Sequence, residues 1–107
     1  VQFLIHVDKK VPNDYFTGAQ RAFQSYENCT FIKRESVHWG GWGLTQAMLN
    51  GIHYIEDHDV TCDFLIYLSG QDYPLKSNED IHNFFKNKQD KQFMEYFSLP
   101  SEGWTGR

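Results

Sequence analysis

The sequence predicts an α/β fold with a mostly parallel sheet flanked by helices. Apolar segments typical of buried strands alternate along the chain with segments of helical periodicity, a pattern typical of parallel sheets with helical crossovers. Hydrophobic residues make up 40% and aromatic residues 17% of the chain, which is too rich for a disordered protein. A length of 107 residues corresponds to at most one domain.

Four segments are predicted as strands. Residues 1–7 are apolar enough for a buried parallel strand, and the continuous apolar run at residues 64–68 predicts the central strand. Residues 30–32 are predicted as a short strand, and residues 92–96 alternate in polarity as a strand does.

Three helices are expected between and after these strands. Residues 14–26 carry apolar side chains at helical spacing. After a glycine-rich break at residues 40–43, the second helix has an apolar face of the kind that packs on a core, made of Leu44, Met48, Ile52 and Ile55. Ser77, followed three residues later by Asp80, is a capping-box variant and predicts the start of the third helix.

Charge and hydropathy exclude two classes of function. The formal net charge is -4 and there is no Lys/Arg run, so we expect no nucleic-acid partner. The longest apolar run spans residues 64–68, far short of the roughly 20 residues that cross a bilayer, so we expect no membrane segment in this chain. The N-terminus does not resemble a signal peptide. Because the chain begins in a strand and stops in a loop, we expect a fragment truncated at both ends.

No metal or nucleophile site is predicted. Asp57-His58-Asp59 has the DxD spacing of a metal site, but it precedes a predicted strand instead of following one, so we expect a solvated turn. Cys29 and Cys62 form no CxxC pair and are expected to be reduced and half-buried. Ser69 lacks the GxSxG context of a hydrolase nucleophile.

Polar clusters follow three of the predicted strands, at residues 6–9, 69–74 and 95–96. In open α/β sheets, ligands bind in the crevice outside the carboxyl ends of the strands. Asp8 can accept hydrogen bonds from a ribose hydroxyl or a uracil N–H, with Lys9 or Lys10 meeting a diphosphate, or it can cap the turn that follows the strand. Asp72 can likewise serve a ligand or tie its own turn together.

The glycine-rich segment at residues 39–43 lacks the pattern of a phosphate-binding loop. Trp39 offers a flat surface for a base or a sugar, and packing in the core is the equally weighted alternative.

Taken together, four stretches of sequence resemble the core-2/I-branching β-1,6-N-acetylglucosaminyltransferase family, which also includes peptide xylosyltransferases and bacterial relatives. The stretches are residues 6–10, 37–41, 68–78 and 93–96, with Leu99-Pro100 and Trp104 following. Their order and spacing hold over nearly the whole chain, and SGQDYPLKSN at residues 69–78 is highly specific.

The resemblance implies a GT-A-like fold and an inverting transfer of a sugar, GlcNAc or xylose, from a UDP-sugar to a carbohydrate or other hydroxyl acceptor. It implies no metal ion or other cofactor. By position in the family motifs, Asp8, Lys9, Trp39 and Gly40 contact the donor and Glu95 contacts the acceptor. Asp72 lies in the signature without an assigned contact.

The resemblance places the catalytic base and the cations that stabilise the leaving diphosphate beyond Arg107, so residues 1–107 are expected to form a partial glycosyltransferase domain. A non-catalytic module that binds nucleotide or carbohydrate is the alternative. The amino-acid sequences of these motifs are closer to those of bacterial members, which favours a cytoplasmic protein of bacterial type. The alternative is the Golgi lumen, where animal relatives act as membrane-anchored proteins.

Overall fold

The computed structural model describes residues 1–94 and 98, and the chain divides into two compact units, Val1–Cys62 and Asp63–Arg107. The first unit contains strand β1 (Phe3–Ile5), helix α1 (Asn13–Phe23), strand β2 (Cys29–Phe31) and helix α2 (Trp42–Asp57). The second contains helix α3 (Asn78–Phe85). The α/β character is therefore confirmed, with helices beside a small parallel sheet.

Strands β1 and β2 pair in parallel, with Phe3 opposite Cys29 and Ile5 opposite Phe31. The pairing continues past the strand ends, because the Ile32 amide donates to the Ile5 carbonyl at 3.0 Å. Since α1 connects two parallel neighbours, the predicted β-α-β arrangement is confirmed. Both strands have three residues, so β1 is shorter than the predicted run of residues 1–7.

Helix α1 covers one side of the β1–β2 pair with aromatic side chains. The rings of Phe16 and Phe23 lie 5.6 and 6.2 Å from that of Phe31, both in edge-to-face geometry. Such aromatic pairs contribute roughly 0.5–1.5 kcal/mol each beyond their burial. The predicted helix ends earlier than expected, since Tyr26 lies in a turn where its amide donates to the Phe23 carbonyl.

Helix α2 buries a different face from the one its apolar pattern predicts. Ala47, Asn50 and Gly51 are buried, whereas Leu44 is 58% exposed. Met48 and Ile52 are also exposed, at 38% and 36%. Of the predicted apolar face, Ile55 is half-buried and the other three residues are exposed, so that prediction is wrong for most of the face. The buried residues are small or carry an amide that hydrogen-bonds to the segment after β2, which explains why this side packs inward.

In the second unit, the predicted capping box forms at the start of α3. The Asp80 amide donates to the Ser77 hydroxyl oxygen at 3.1 Å, and that hydroxyl donates to the Asp80 carboxylate at 2.7 Å. Phe85 of α3 then packs against two aromatic rings outside the helix. Its ring centre lies 4.7 Å from that of Phe64 and 5.3 Å from that of Phe93. These contacts give the unit an aromatic cluster.

The predicted strands at residues 64–68 and 92–96 are wrong over the described residues. Neither 64–68 nor 92–94 is a strand, and the sheet of the described chain consists of β1 and β2; residues 95–96 lie outside the described residues. A strand needs a partner to supply its backbone hydrogen bonds, and apolar composition alone does not provide one.

Gly43 is the position where an added methyl group should do most harm. A Cβ there would lie 2.2 Å from the Ser36 carbonyl oxygen, so Gly43→Ala must displace backbone, and overpacking of this kind costs roughly 1–3 kcal/mol. At Gly18, inside α1, nothing lies within 4 Å of the added atom, and Gly18→Ala should stabilise by up to about 1 kcal/mol. Urea unfolding of both variants tests this, and equal effects of the same sign would contradict it.

Candidate functional site

Asp8 ends the β1 segment and holds the turn that follows. One oxygen of its carboxylate accepts the Lys10 amide at 2.9 Å and lies 3.5 Å from the Val37 amide. The Lys10 amide is the main reason that the pKa of Asp8 lies below its ordinary value. The turn-capping interpretation of Asp8 is therefore confirmed. The side chain is still 29% exposed, and an ionised carboxylate has further lone pairs, so it retains acceptor capacity toward solvent.

The two lysines after Asp8 have different roles in this loop. The Lys10 ammonium donates to the Val37 carbonyl and lies 3.5 Å from the Asp8 carboxylate. The Lys9 backbone amide donates to the Glu35 carbonyl at 2.9 Å, and Lys9 is exposed. Within residues 1–94 and 98, no hydrogen bond or ion pair uses the Lys9 ammonium, so this charge, unlike that of Lys10, does not serve to hold the loop.

Arg34, three residues after β2, binds the same loop from the other side. Its Nε donates to the Val7 carbonyl at 3.3 Å, and its Nη2 donates to the carbonyls of Asp8, at 2.8 Å, and Val11. Its Nη1 donates to the Asn13 side chain at 3.1 Å. One guanidinium thus connects three positions of the loop between β1 and α1 with the first residue of the helix.

Glu35, His6 and Asn50 link the ends of the two strands to α2. The Glu35 amide donates to Nε2 of His6 at 2.9 Å, and the Glu35 carboxylate accepts the Asn50 amide at 2.9 Å and the Lys33 ammonium at 3.0 Å. The Asn50 hydrogen bond is the largest cause of the lowered pKa of Glu35. Gln46 in turn donates to Asn50 at 3.1 Å, which satisfies the buried amide.

Trp39 and Gly40 form an exposed turn just before α2. The indole of Trp39 is fully exposed at 103%, so the alternative that it packs in the core is wrong. Gly40 has a φ of 69°, a left-handed conformation that favours glycine. The Gly41 amide closes the turn on the His38 carbonyl at 3.0 Å. Because Val37 contacts Asp8 and Lys10, the segment that leads to Trp39 is held against the Asp8 loop.

Asp72 ties together the signature turn of the second unit. Its carboxylate accepts the Ser69 amide at 2.6 Å, and its own amide donates to the Ser69 carbonyl at 3.1 Å. The Ser69 amide is also the main cause of the lowered pKa of Asp72. The interpretation of Asp72 as the residue that holds its turn is confirmed.

The remaining candidates are distributed as follows. Asp57 ends α2, and His58 and Asp59 lie in the exposed turn behind it, which confirms the predicted solvated turn. The described residues contain no cluster of three or more His, Cys, Asp or Glu side chains that could hold a metal ion. Both cysteines are free, Cys29 half-buried as expected and Cys62 exposed, contrary to expectation. Glu95 lies outside the described residues.

The family model described as core-2/I-branching enzyme matches residues 1–107. The chain belongs to this family. The resemblance seen in the sequence is therefore confirmed, and the family is one of glycosyltransferases.

Relatives in this family are named either as N-acetylglucosaminyltransferases or as xylosyltransferases. A pig protein named probable β-1,3-galactosyl-O-glycosyl-glycoprotein β-1,6-N-acetylglucosaminyltransferase 7 is 36% identical over 80% of this chain and 20% of its own length. A human N-acetyllactosaminide β-1,6-N-acetylglucosaminyl-transferase is 34% identical over 98% of this chain and 26% of its own length. Mouse xylosyltransferase 2 is 35% identical over 87% of this chain and 11% of its own length.

The chain thus spans about a quarter or less of the length of these branching-enzyme relatives. All three are mammalian, and none of them supports the cytoplasmic expectation. No solved structure matches the chain. Among residues 1–94 and 98, no helix is long and apolar enough to cross a membrane.

Arg34, Glu35 and Asn50 are the residues that the sequence prediction missed. The three polar clusters predicted at strand ends do not include the end of residues 30–32, yet parallel neighbours end at the same edge of a sheet. Applied there, the rule selects Lys33-Arg34-Glu35 as the neighbours of the Asp8 loop. Asn50 had no comparable signal, because a lone amide on an otherwise apolar helix has no distinguishing pattern.

His6 should make folding sensitive to mild acid. Burial lowers its pKa below 6.5, and its Nε2 accepts the Glu35 amide, so the fold favours the neutral ring. Since the unfolded chain takes up this proton first, stability is full above pH 6.5 and falls as the pH drops through the lowered pKa. Urea unfolding between neutral and mildly acidic pH should show this loss. His6→Gln should flatten the profile, whereas the exposed control His53→Gln should not; a profile unchanged by His6→Gln would contradict the prediction.

Proposed function

We propose that the protein containing this chain is an inverting glycosyltransferase that moves GlcNAc or xylose from a UDP-sugar to a carbohydrate or other hydroxyl acceptor. The proposal includes a GT-A-like fold, of which residues 1–107 form part of the donor-binding half. The observation that carries it is the convergence of Asp8, Lys9 and the segment leading to Trp39 at the carboxyl edge of the β1–β2 pair. Family membership supports the reaction class.

Each donor residue has a role that its chemistry supports. The exposed part of the Asp8 carboxylate accepts a hydrogen bond from the uracil N–H or a ribose hydroxyl, and Lys9 meets the diphosphate. The Trp39 indole stacks on the base or the sugar, and Gly40, which lacks a side chain, lets the backbone approach the nucleotide. By its position in the family motif, Glu95 accepts hydrogen bonds from hydroxyl groups of the acceptor sugar.

The reaction is a direct displacement at the anomeric carbon. A carboxylate takes the proton of the acceptor hydroxyl while that oxygen attacks the carbon from the face opposite UDP, and the bond to the diphosphate oxygen breaks with inversion. Cationic side chains in place of a metal ion offset the charge that grows on UDP. By the family resemblance, the base and most of these cations come from residues beyond Arg107.

A non-catalytic module that binds nucleotide or carbohydrate is the second candidate. The fully exposed indole of Trp39 can stack on a sugar in a binding module just as it can in an enzyme. Transfer or hydrolysis of a UDP-sugar by the full-length protein separates the two: the enzyme releases UDP, and the module binds without turnover. For compartment, the mammalian relatives favour the Golgi lumen.

Calorimetric titration of the full-length protein with UDP tests the donor site and its metal independence. We expect binding that EDTA leaves unchanged. Asp8→Asn keeps an oxygen that caps the turn but loses the charge and one acceptor, so UDP affinity should fall by about tenfold, the effect of one charge-assisted hydrogen bond. Asp14→Asn, on the exposed first turn of α1, is the matched control. Absence of UDP binding, or loss of binding in EDTA, would contradict the proposal.

Trp39→Ala should weaken UDP binding without changing stability, because the indole is fully exposed and contributes no core packing. Stacking of a base on an aromatic side chain is worth roughly 1–3 kcal/mol, which corresponds to about a fivefold to hundredfold loss of affinity. The control is Tyr15→Ala, which removes an aromatic side chain that is 68% exposed on α1. A clear drop in the urea midpoint for Trp39→Ala, or equal UDP affinity in both variants, would be evidence against this role.

A further inference from the structure

We propose that Arg34 is a positioning residue of the nucleotide site, which sets the geometry of the loop carrying Asp8 and Lys9 without touching the ligand. The inference rests on the proposed function and goes beyond it, because Arg34 is not one of the proposed donor contacts. Its guanidinium donates to the carbonyls of Val7, Asp8 and Val11.

These acceptors flank the two proposed donor contacts on both sides. The bond to the Asp8 carbonyl, at 2.8 Å, fixes the backbone of the very residue whose carboxylate faces solvent. The bonds to Val7 and Val11 bracket Lys9, and Lys9 is also held by its amide bond to the Glu35 carbonyl. The loop is thus tied by hydrogen bonds to the segment after β2 at several successive points.

The planar group is fixed in turn by α1. The Arg34 guanidinium carbon lies 4.4 Å from the centre of the Phe16 ring, and Nη1 donates to the Asn13 side chain at the start of the helix. Four of its five N–H groups are therefore engaged within the protein. With its donors used in this way, Arg34 acts through the loop and not as a diphosphate ligand.

Lysine cannot reproduce this arrangement. Its ammonium is a point charge with three donors, whereas the guanidinium presents a rigid fork that spans carbonyls several residues apart. Arg34→Lys keeps the charge and most of the side-chain volume, so it removes the fork selectively. Arg21→Lys, on the last turn of α1, is the matched control.

The experiment measures UDP affinity by calorimetry and amide hydrogen exchange in the full-length protein, well below its unfolding temperature. Arg34→Lys should weaken UDP binding by about tenfold and speed exchange of the Lys10 and Val11 amides, both of which donate to Asp8. If Arg34 acts through Asp8, the two substitutions should not be additive. The double variant Arg34→Lys with Asp8→Asn should then bind UDP about as weakly as Asp8→Asn alone, and not a further tenfold more weakly.

The outcomes separate this inference from the proposed function. Wild-type protein that binds UDP, together with a folded Arg34→Lys variant of equal affinity, overturns the positioning role alone, as does a fully additive double variant. Wild-type protein that fails to bind UDP overturns the proposed function and this role with it. Should Arg34→Lys not fold, Asn13→Ala removes one acceptor of the same guanidinium; it should weaken UDP binding about two- to threefold, and an unchanged affinity overturns the inference.

Discussion

The parallel pairing of β1 with β2 is the constraint on which the rest of the first unit depends. Because parallel neighbours end at the same edge, this register places the loop after Ile5 beside the segment after Phe31. The contacts between the two loops at this edge join residues that are more than 20 positions apart in sequence, such as Arg34 with the Asp8 carbonyl and Glu35 with His6. The chain entropy lost in closing so long a loop is lost once, at the sheet, and the polar contacts then form at little further entropic cost.

Local features were predictable from the sequence, and long-range pairing was predictable only in part. The Ser77–Asp80 cap involves residues three apart, so its chemistry is visible in the sequence and it formed as expected. The strand at residues 64–68 was inferred from apolar composition, which reports burial and not the presence of a partner. Asp8 caps the turn after its strand, which is one of the two roles predicted for it, and its contact with a donor stays a prediction. Arg34 follows β2 in the same way, so its place beside the Asp8 loop depends on the pairing of the two strands.

Helix α2 shows how hydrogen-bonding groups decide which face a helix buries. A buried amide without partners costs roughly 1–3 kcal/mol, so Asn50 must face the Lys33 carbonyl and the Glu35 carboxylate that it contacts. Ala47 and Gly51 on the same face are small, which permits the close approach that those bonds require. Leu44, three residues before Ala47, lies on the same side in the first turn of the helix and is nevertheless exposed, and an exposed leucine is an ordinary surface feature. Apolar periodicity therefore predicted the helix correctly but not which of its residues are buried.

The charges of the Asp8 loop determine what this part of the proposed donor site can contribute to transfer. Lys10 is paired with Asp8 and bonded to the Val37 carbonyl, so the two side chains largely cancel and serve the loop itself. Lys9 is then the loop's net positive charge. One exposed ammonium, strongly hydrated, offsets only part of the charge of a diphosphate, and less still at physiological ionic strength. The proposed metal-independent mechanism therefore divides its tasks: the β1–β2 edge is proposed to orient the nucleotide, and the stabilisation of the leaving group is assigned mainly to cations elsewhere in the protein.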